Sequence, residues 1–230
     1  NTIIAAELTE FADELEKATD FNEALSDLIK RTIKEHKRII FNGNGYDKAW
    51  IDEAEKRGLL NLKSTPEALK YMLEKKDVEI FEKLHVFTAN EIKSRYEIHI
   101  DNYCKILNIE AKTMLDMAKT DIIPAVGKYT AQLLETAKLK KEFGLSTTPE
   151  SDIAAELSDK SVAMFNSVKT LSVLTEQAKN ISDEQARAEF YHNEVIPAME
   201  SLRHAADSAE LLTDGAMWPM PGYKDLLFGI

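Results

Sequence analysis

The stretch YCKILNIEAKTMLDMAKTDIIPAVGKYTAQLL, Tyr103–Leu134, decides the fold class of this chain. Its apolar residues recur at intervals of three and four, and a helix of about 3.6 residues per turn places such residues on one face. The members of this stripe are Tyr103, Leu107, Ala111, Met114, Ala118, Ile122, Ala125, Tyr129 and Leu133. The spacing predicts one long amphipathic helix from about Asn90 to Phe143, kinked where Pro124 interrupts it.

Two further segments carry stripes of the same kind. One runs from about Glu150 to Asn180, and the other follows Ser182 and contains Pro197. The first stripe has apolar residues seven apart at Leu157, Met164, Leu171 and Ala178. The second consists of Tyr191, Val195, Ala198, Leu202, Ala205, Ala209 and Leu212. Because the connections between the long helices are short, we expect neighbouring helices to be antiparallel and to form a bundle.

Shorter helices are predicted ahead of the bundle, at about 2–18, 21–41, 46–57, 66–75 and 77–84. Four patterns predict capping boxes at helix starts, namely Ser64–Glu67, Thr88–Glu91, Thr147–Glu150 and Ser182–Gln185. Glycines placed for left-handed helix ends are Gly43, Gly58, Gly144 and Gly215. The closing stretch GAMWPMPGYKDLLFGI is predicted to be irregular because prolines and glycines interrupt it. The predicted fold class is all-α: several short helices, an antiparallel bundle of long helices and an irregular proline-aromatic tail.

Composition narrows the range of partners. The chain has 29 basic and 40 acidic residues, a formal net charge of −11, which argues against binding to nucleic acid or to an anionic membrane. No apolar run approaches the roughly 20 residues that span a bilayer. The single cysteine, Cys104, excludes an internal disulfide and fits a reducing cytoplasm. We therefore expect a cytoplasmic protein. Because the chain opens abruptly at Asn1 on an amphipathic stretch, we also expect it to be a piece of a longer protein.

A glycine-rich loop is the first candidate for a nucleotide- or phosphate-binding site. In RIIFNGNGYDKAW, Arg38–Trp50, the pattern Gly43-x-Gly45-x-x-Lys48 completes neither a dinucleotide-binding motif nor a phosphate-binding P-loop. The apolar residues that precede the glycines recur at helical spacing, whereas both motifs require a strand there. The pattern therefore predicts a hinge between two helices.

Two other candidates are equally weak. Glu189-Phe-Tyr-His192 is half of the Glu-x-x-His pattern of di-iron bundles, and the sequence contains no second copy. We therefore expect a histidine on the bundle flank rather than a metal-binding bundle enzyme. Cys104 has no histidine close in sequence to activate it, which predicts a packing residue. Taken alone, the residues predict no catalytic, cofactor-binding or metal-binding residue.

An ordered series of phrases is more specific than any of these motifs. The phrases are NTIIAAELTEFADELEKATDFNEAL, IKEHKRIIFNGNGY, EAEKRGLLNLKSTPEAL, FEKLHVFTANEIKSRYEIHIDNY, HNEVIPAMESLR and WPMPGYKDLLF. In this order they resemble the C-terminal third of type III glutamine synthetase, the long bacterial form, over essentially the whole chain. The resemblance implies three parts. Residues 1–102 would be the helical end of the catalytic domain, 103–215 a bundle extension specific to type III, and 216–230 a docking tail.

The resemblance also implies a function for the full-length protein: an ATP-dependent ligase that joins ammonia to glutamate with the help of Mg²⁺ or Mn²⁺. The family's metal and substrate ligands lie upstream of Asn1, so no such residue is carried over, and the isolated chain is expected to be inactive. Its implied partners are the remainder of its own polypeptide and neighbouring subunits, in a dodecamer of two hexameric rings. The residues expected to dock, either on this chain or on a neighbouring subunit, are Trp218, Pro219, Tyr223, Leu226, Leu227 and Phe228. The alternative interpretation is a free-standing helical-bundle interaction module whose tail is a docking peptide.

Overall fold

The predicted all-α fold is confirmed. The computed structural model describes residues 1–229, apart from the side chains of Tyr223 and Lys224, and contains helices, turns and loops but no strand in that range. The chain divides after His99 into two compact units. No helix among the described residues combines the length and the apolar character that crossing a bilayer requires.

The first unit is built from short helices. In chain order they are α1 (Thr2–Leu15), α2 (Phe21–His36), a 3₁₀ turn (Lys37–Ile39), α3 (Lys48–Lys56), α4 (Thr65–Leu69), a second 3₁₀ turn (Lys70–Leu73), α5 (Lys75–Lys83) and the start of α6 (Ala89–Met117). Helix α1 contacts α2 and α5. Ion pairs support both contacts: Arg31 Nη2 lies 2.6 Å from Glu14 Oε2, and Lys83 Nζ lies 3.3 Å from Glu10 Oε1.

This first unit has a sparse core. Among its described residues, only four apolar side chains of the kinds that form cores are buried, namely Ala6, Leu28, Ala54 and Ile92. Many large apolar side chains are instead exposed: Ile3, Ile4, Leu8, Phe21, Ile29, Ile33, Ile39, Ile40, Tyr46, Leu60, Leu62, Leu73, Val86 and Ile98. A surface of this kind is typical of a protein face that meets a partner.

The second unit has a dense core. After α6 and a π-helical turn (Ala118–Ile122) come α7 (Ile123–Glu142), α8 (Thr148–Lys179), α9 (Glu184–Phe190), a second π-helical turn (Tyr191–Val195), α10 (Ile196–Glu210) and α11 (Tyr223–Phe228). Helix α8 packs along both α7 and α10. The seven-residue stripe of α8 is confirmed, since Leu157, Met164, Leu171 and Ala178 are each fully buried.

Pro124 and Pro197 each lie two residues after the end of a π-helical turn. A proline lacks the N–H that bonds to the carbonyl four residues earlier, and its ring clashes with that carbonyl. The wider turn relieves this clash, because the N–H just before each proline bonds five residues back. Ile123 donates to the Ala118 carbonyl, and Ile196 donates to the Tyr191 carbonyl. The segment predicted from about Asn90 to Phe143 is helical throughout Ala89–Glu142, with a π-helical turn just before Pro124.

The helix starts agree only partly with the predicted capping boxes. Those at Ser64–Glu67 and Thr88–Glu91 are present. The other two predictions are wrong. At α8 the Thr147 side chain makes no cap bond, and Glu150 pairs with Lys140 of the preceding helix. At α9 the cap is Asp183, one residue after Ser182, and its Oδ1 accepts from the Ala186 N–H at 2.8 Å.

The tail, predicted to be irregular throughout, contains helix α11. The prolines of the tail lie before Gly222, the N-cap of α11, and Gly229 follows the helix with a left-handed φ of 56°. The prolines and glycines of the tail therefore lie outside the six helical residues and do not interrupt them. The Gly222 N–H donates to Asp225 Oδ2 at 2.9 Å, which satisfies one backbone group at the helix start.

Candidate functional site

The closing segment leaves the bundle through a tight turn after α10. Thr213 Oγ1 is buried and donates to the Ala209 carbonyl at 2.7 Å. Asp214 follows, and its Oδ1 accepts from the Ala216 N–H at 2.8 Å. Its carbonyl accepts from the N–H of Met217 at 2.9 Å and of Trp218 at 3.0 Å. These bonds fix the direction in which the tail leaves α10.

The first half of the tail lies on its own bundle. The half-buried Trp218, with Met220 and Pro221, lines a cavity of about 330 Å³ against α6, the first π-helical turn and α10. Met114 and Leu202 are among the bundle residues that face this cavity. Of the predicted docking residues, Trp218 is therefore placed against this chain.

The second half of the tail is exposed. Pro219 is exposed, and in α11 Leu226, Leu227 and Phe228 remain 68%, 60% and 68% accessible. The side chain of Tyr223, the sixth predicted docking residue, lies outside the described residues. Three large apolar side chains on one short helix form a surface that water solvates poorly. That these residues dock, on this chain or on a neighbouring subunit, stays a prediction.

The glycine-rich loop joins two helical elements, as predicted. Gly43 and Gly45 lie between the 3₁₀ turn Lys37–Ile39 and α3, with no strand before them. The loop is fixed by its own side chains. Asn44 Oδ1 accepts from the Tyr46 N–H at 3.1 Å, and Phe41 stacks on Trp50 with ring centroids 4.3 Å apart. Neither glycine adopts a left-handed φ, so the predicted left-handed helix end at Gly43 is wrong, as is that at Gly215.

The other motif residues are engaged in ordinary structural contacts. Glu189 Oε1 accepts from Gln185 Nε2 at 2.7 Å, and His192 lies in the second π-helical turn. Cys104 is buried, as predicted for a packing residue, and burial raises the pKa of its thiol. A thiol with a raised pKa is a poor nucleophile at neutral pH. Within the described residues no three His, Cys, Asp or Glu side chains are grouped closely enough to hold a metal ion.

Known proteins are similar to this chain over nearly its whole length. Residues 24–141, just over half of the chain, match the family described as glutamine synthetase C-terminal domain. The chain is 33% identical to a glutamine synthetase of Butyrivibrio fibrisolvens over 213 residues, which cover 92% of this chain and 30% of that protein. It is 30% identical to a type-3 glutamine synthetase of Dictyostelium discoideum over 238 residues, which cover 99% of this chain and 32% of that protein.

The resemblance found in the sequence is thus confirmed. The chain spans about 30% of the length of the curated relatives it matches. The matched range 24–141 crosses the predicted boundary at residue 102, so the division into a catalytic-domain part and an extension stays a prediction. The relatives favour the enzyme-derived interpretation over a free-standing interaction module. The chain belongs to the glutamine synthetase C-terminal domain family.

Proposed function

We propose that this chain is the helical C-terminal part of a glutamine synthetase and that its role is structural: it completes the subunit and contacts neighbouring subunits. The full-length enzyme would join ammonia to glutamate at the expense of ATP. The observation that carries the proposal is the family match over a chain that covers only about 30% of its relatives.

The distribution of buried residues supports a structural role. The second unit buries 25 apolar side chains among its described residues, whereas the first unit buries the four named above. The first unit is therefore poorly suited to folding alone, since burial of apolar surface is the main force that stabilises a domain. We propose that the remainder of the polypeptide covers its exposed apolar face.

The implied cofactors do not fit the described residues. Mg²⁺ and Mn²⁺ favour carboxylate oxygens, and phosphoryl transfer requires positive charge and metal around the transferring group. The described residues contain no group of three or more metal-ligating side chains. We therefore assign metal and ATP binding to the part of the enzyme outside this chain. The isolated 230-residue chain should show neither synthetase activity nor saturable Mg-ATP binding, and either one would contradict this assignment.

The assembly role of the tail is testable with one substitution and a matched control. Phe228→Asp in the full-length enzyme should shift the assembly toward smaller species in light scattering and lower synthetase activity, because a carboxylate would face an apolar contact. Phe143→Asp changes a phenylalanine that is 79% exposed, comparable with the 68% of Phe228, at the end of α7. Equal effects of the two changes, or none from Phe228→Asp, would exclude α11 as an assembly contact.

A further inference from the structure

An open groove runs along the C-terminal half of α2 in the first unit. Its volume is about 970 Å³, and its walls come from α2, the segment after α2 and the end of α3. Three isoleucines, Ile29, Ile33 and Ile40, line it and are each about half exposed. Ile29 and Ile33 also line an adjoining apolar cavity of about 450 Å³ between α1 and α2, so the apolar surface is continuous.

The charged residues that line this groove are all cations. They are Lys30, Lys34, Lys37, Arg38 and Arg57, and no carboxylate lines the groove with them. Lys30 is paired with Asp27 at 3.2 Å and Arg57 with Glu53 at 2.7 Å. For the other three cations the described residues provide no carboxylate within 4 Å. This concentration of positive charge lies on a chain whose formal net charge is −11.

The segment that follows α2 and lines the groove is held by hydrogen bonds to its backbone. Arg57 Nη1 donates to the carbonyl oxygens of Arg38 at 3.2 Å and of Ile40 at 2.8 Å. These bonds tie the segment after α2 to the end of α3. Phe41, in the same segment, stacks on Trp50 of α3 and adds a second attachment. The groove therefore exists before any partner binds, which lowers the entropic cost of binding.

Helix electrostatics explain only part of this arrangement. Cations near the C-terminus of a helix are favoured by its dipole, which accounts for Lys34 and Lys37 at the end of α2. The dipole does not account for three half-exposed isoleucines between the cations. A continuous apolar surface with a charged rim is typical of a binding groove, and an amphipathic segment with carboxylates along its edges complements both features.

We infer that this groove binds an acidic, amphipathic segment of the glutamine synthetase polypeptide that lies outside these 230 residues. The inference rests on the proposed function, since it requires that the chain be part of the longer enzyme. Because the chain spans about 30% of its relatives, more than twice its length remains to supply the segment. A covalently connected segment is also present at a high effective concentration, which favours it over a second copy of this chain.

Zero-length cross-linking with a carbodiimide tests the inference directly, because it joins a lysine only to a carboxylate that it contacts. In the full-length enzyme, Lys34 or Lys37 should become linked to an Asp or Glu outside residues 1–230, as identified by mass spectrometry. The Lys83–Glu10 pair, at 3.3 Å, supplies an internal control that should cross-link within the chain. If that control link forms and neither groove lysine is linked, the inference is wrong.

Mixing isotopically light and heavy enzyme identifies the source of the carboxylate. Links from Lys34 or Lys37 to residues 1–230 of a second copy would overturn the inference in favour of a contact between copies. The double substitution K34E and K37E should lower the thermal midpoint of the enzyme by several degrees. The matched pair K75E and K93E changes exposed lysines elsewhere in the unit and should have little effect. Equal shifts from both pairs would also overturn it.

The inference and the proposed function fail separately. Phe228→Asp tests the assembly role of α11, and the cross-links to the α2 groove do not depend on that helix. An enzyme that passes the Phe228 test and lacks groove cross-links would keep the proposed function and lose this inference.

Discussion

Replacing Leu171 by alanine should destabilise the second unit by about 3 kcal/mol. Leu171 is fully buried in α8, which packs along both α7 and α10. The change removes three carbons, and loss of their burial costs roughly 2.4 kcal/mol at about 0.8 kcal/mol for each. A residual cavity adds to this loss, because helices packed on two sides of α8 cannot fully close around it, and buried Leu→Ala changes typically cost about 2–5 kcal/mol.

The two tryptophans make the assay specific for one unit. Trp50 lies in the first unit and Trp218 in the second, where it lines the cavity against α6 and α10. In a Trp50→Phe background, fluorescence therefore reports only the second unit. For a unit of this size the urea m value is about 2 kcal/mol per molar, so Leu171→Ala should lower the unfolding midpoint by about 1.5 M.

An exposed leucine provides the comparison. Leu134 lies on α7 and is 55% exposed, so Leu134→Ala should change the free energy of unfolding by less than about 1 kcal/mol. If Leu171→Ala lowered the midpoint no more than Leu134→Ala does, the packing of α8 described above would be wrong. A changed m value would instead mean that the two-state assumption fails for this unit.

Two further predictions concern the connection between α7 and α8. The hydrogen bond from Lys140 lowers the pKa of the Glu150 carboxyl, so this pair adds stability above the ordinary carboxyl pKa and loses it as pH falls through the lowered folded value. Glu150→Gln should therefore flatten the acid-side decline of the thermal midpoint, and an unchanged decline would refute the assignment. Gly144 ends α7 with a φ of 71°, so Gly144→Ala should cost about 1–2 kcal/mol in urea unfolding. Gly127→Ala, inside α7 with open space around the added methyl group, should be neutral or stabilising by up to about 1 kcal/mol.

The buried face of α8 could be predicted from sequence because helical periodicity is a local property. Leu157 and Leu171 are two heptads apart, and a helix packed between two others buries the residues that recur at this spacing. The polar Thr175 is buried there too, because its hydroxyl donates to the Leu171 carbonyl. The same reasoning gave the helical hinge at Gly43, since the residues before it lack strand spacing. These two predictions agreed with the structure because each rests on the spacing of neighbouring residues.

Several of the predictions that failed depend on contacts distant in sequence or on a choice between similar residues. Glu150 has the position of a capping-box acid, but Lys140 of the preceding helix binds it instead. Ser182 and Asp183 are both good N-caps, and the backbone geometry of the turn selects Asp183. The sequence also could not show which tail residues lie against the bundle and which remain exposed, because Trp218 and Phe228 are both aromatic. Only the fold shows that Trp218 lines a cavity against the bundle whereas Phe228 remains exposed.

The contrast between the two units connects folding with assembly. A unit that buries only four apolar core side chains, while leaving isoleucines half exposed along α2, gains most of its stability from whatever covers that surface. The second unit has its own dense core, and its α11 leaves Leu226, Leu227 and Phe228 exposed. On the proposed function, the remaining polypeptide would therefore stabilise the first unit by covering its exposed apolar face. In the same proposal, α11 of the second unit would offer its exposed apolar side chains to a neighbouring subunit.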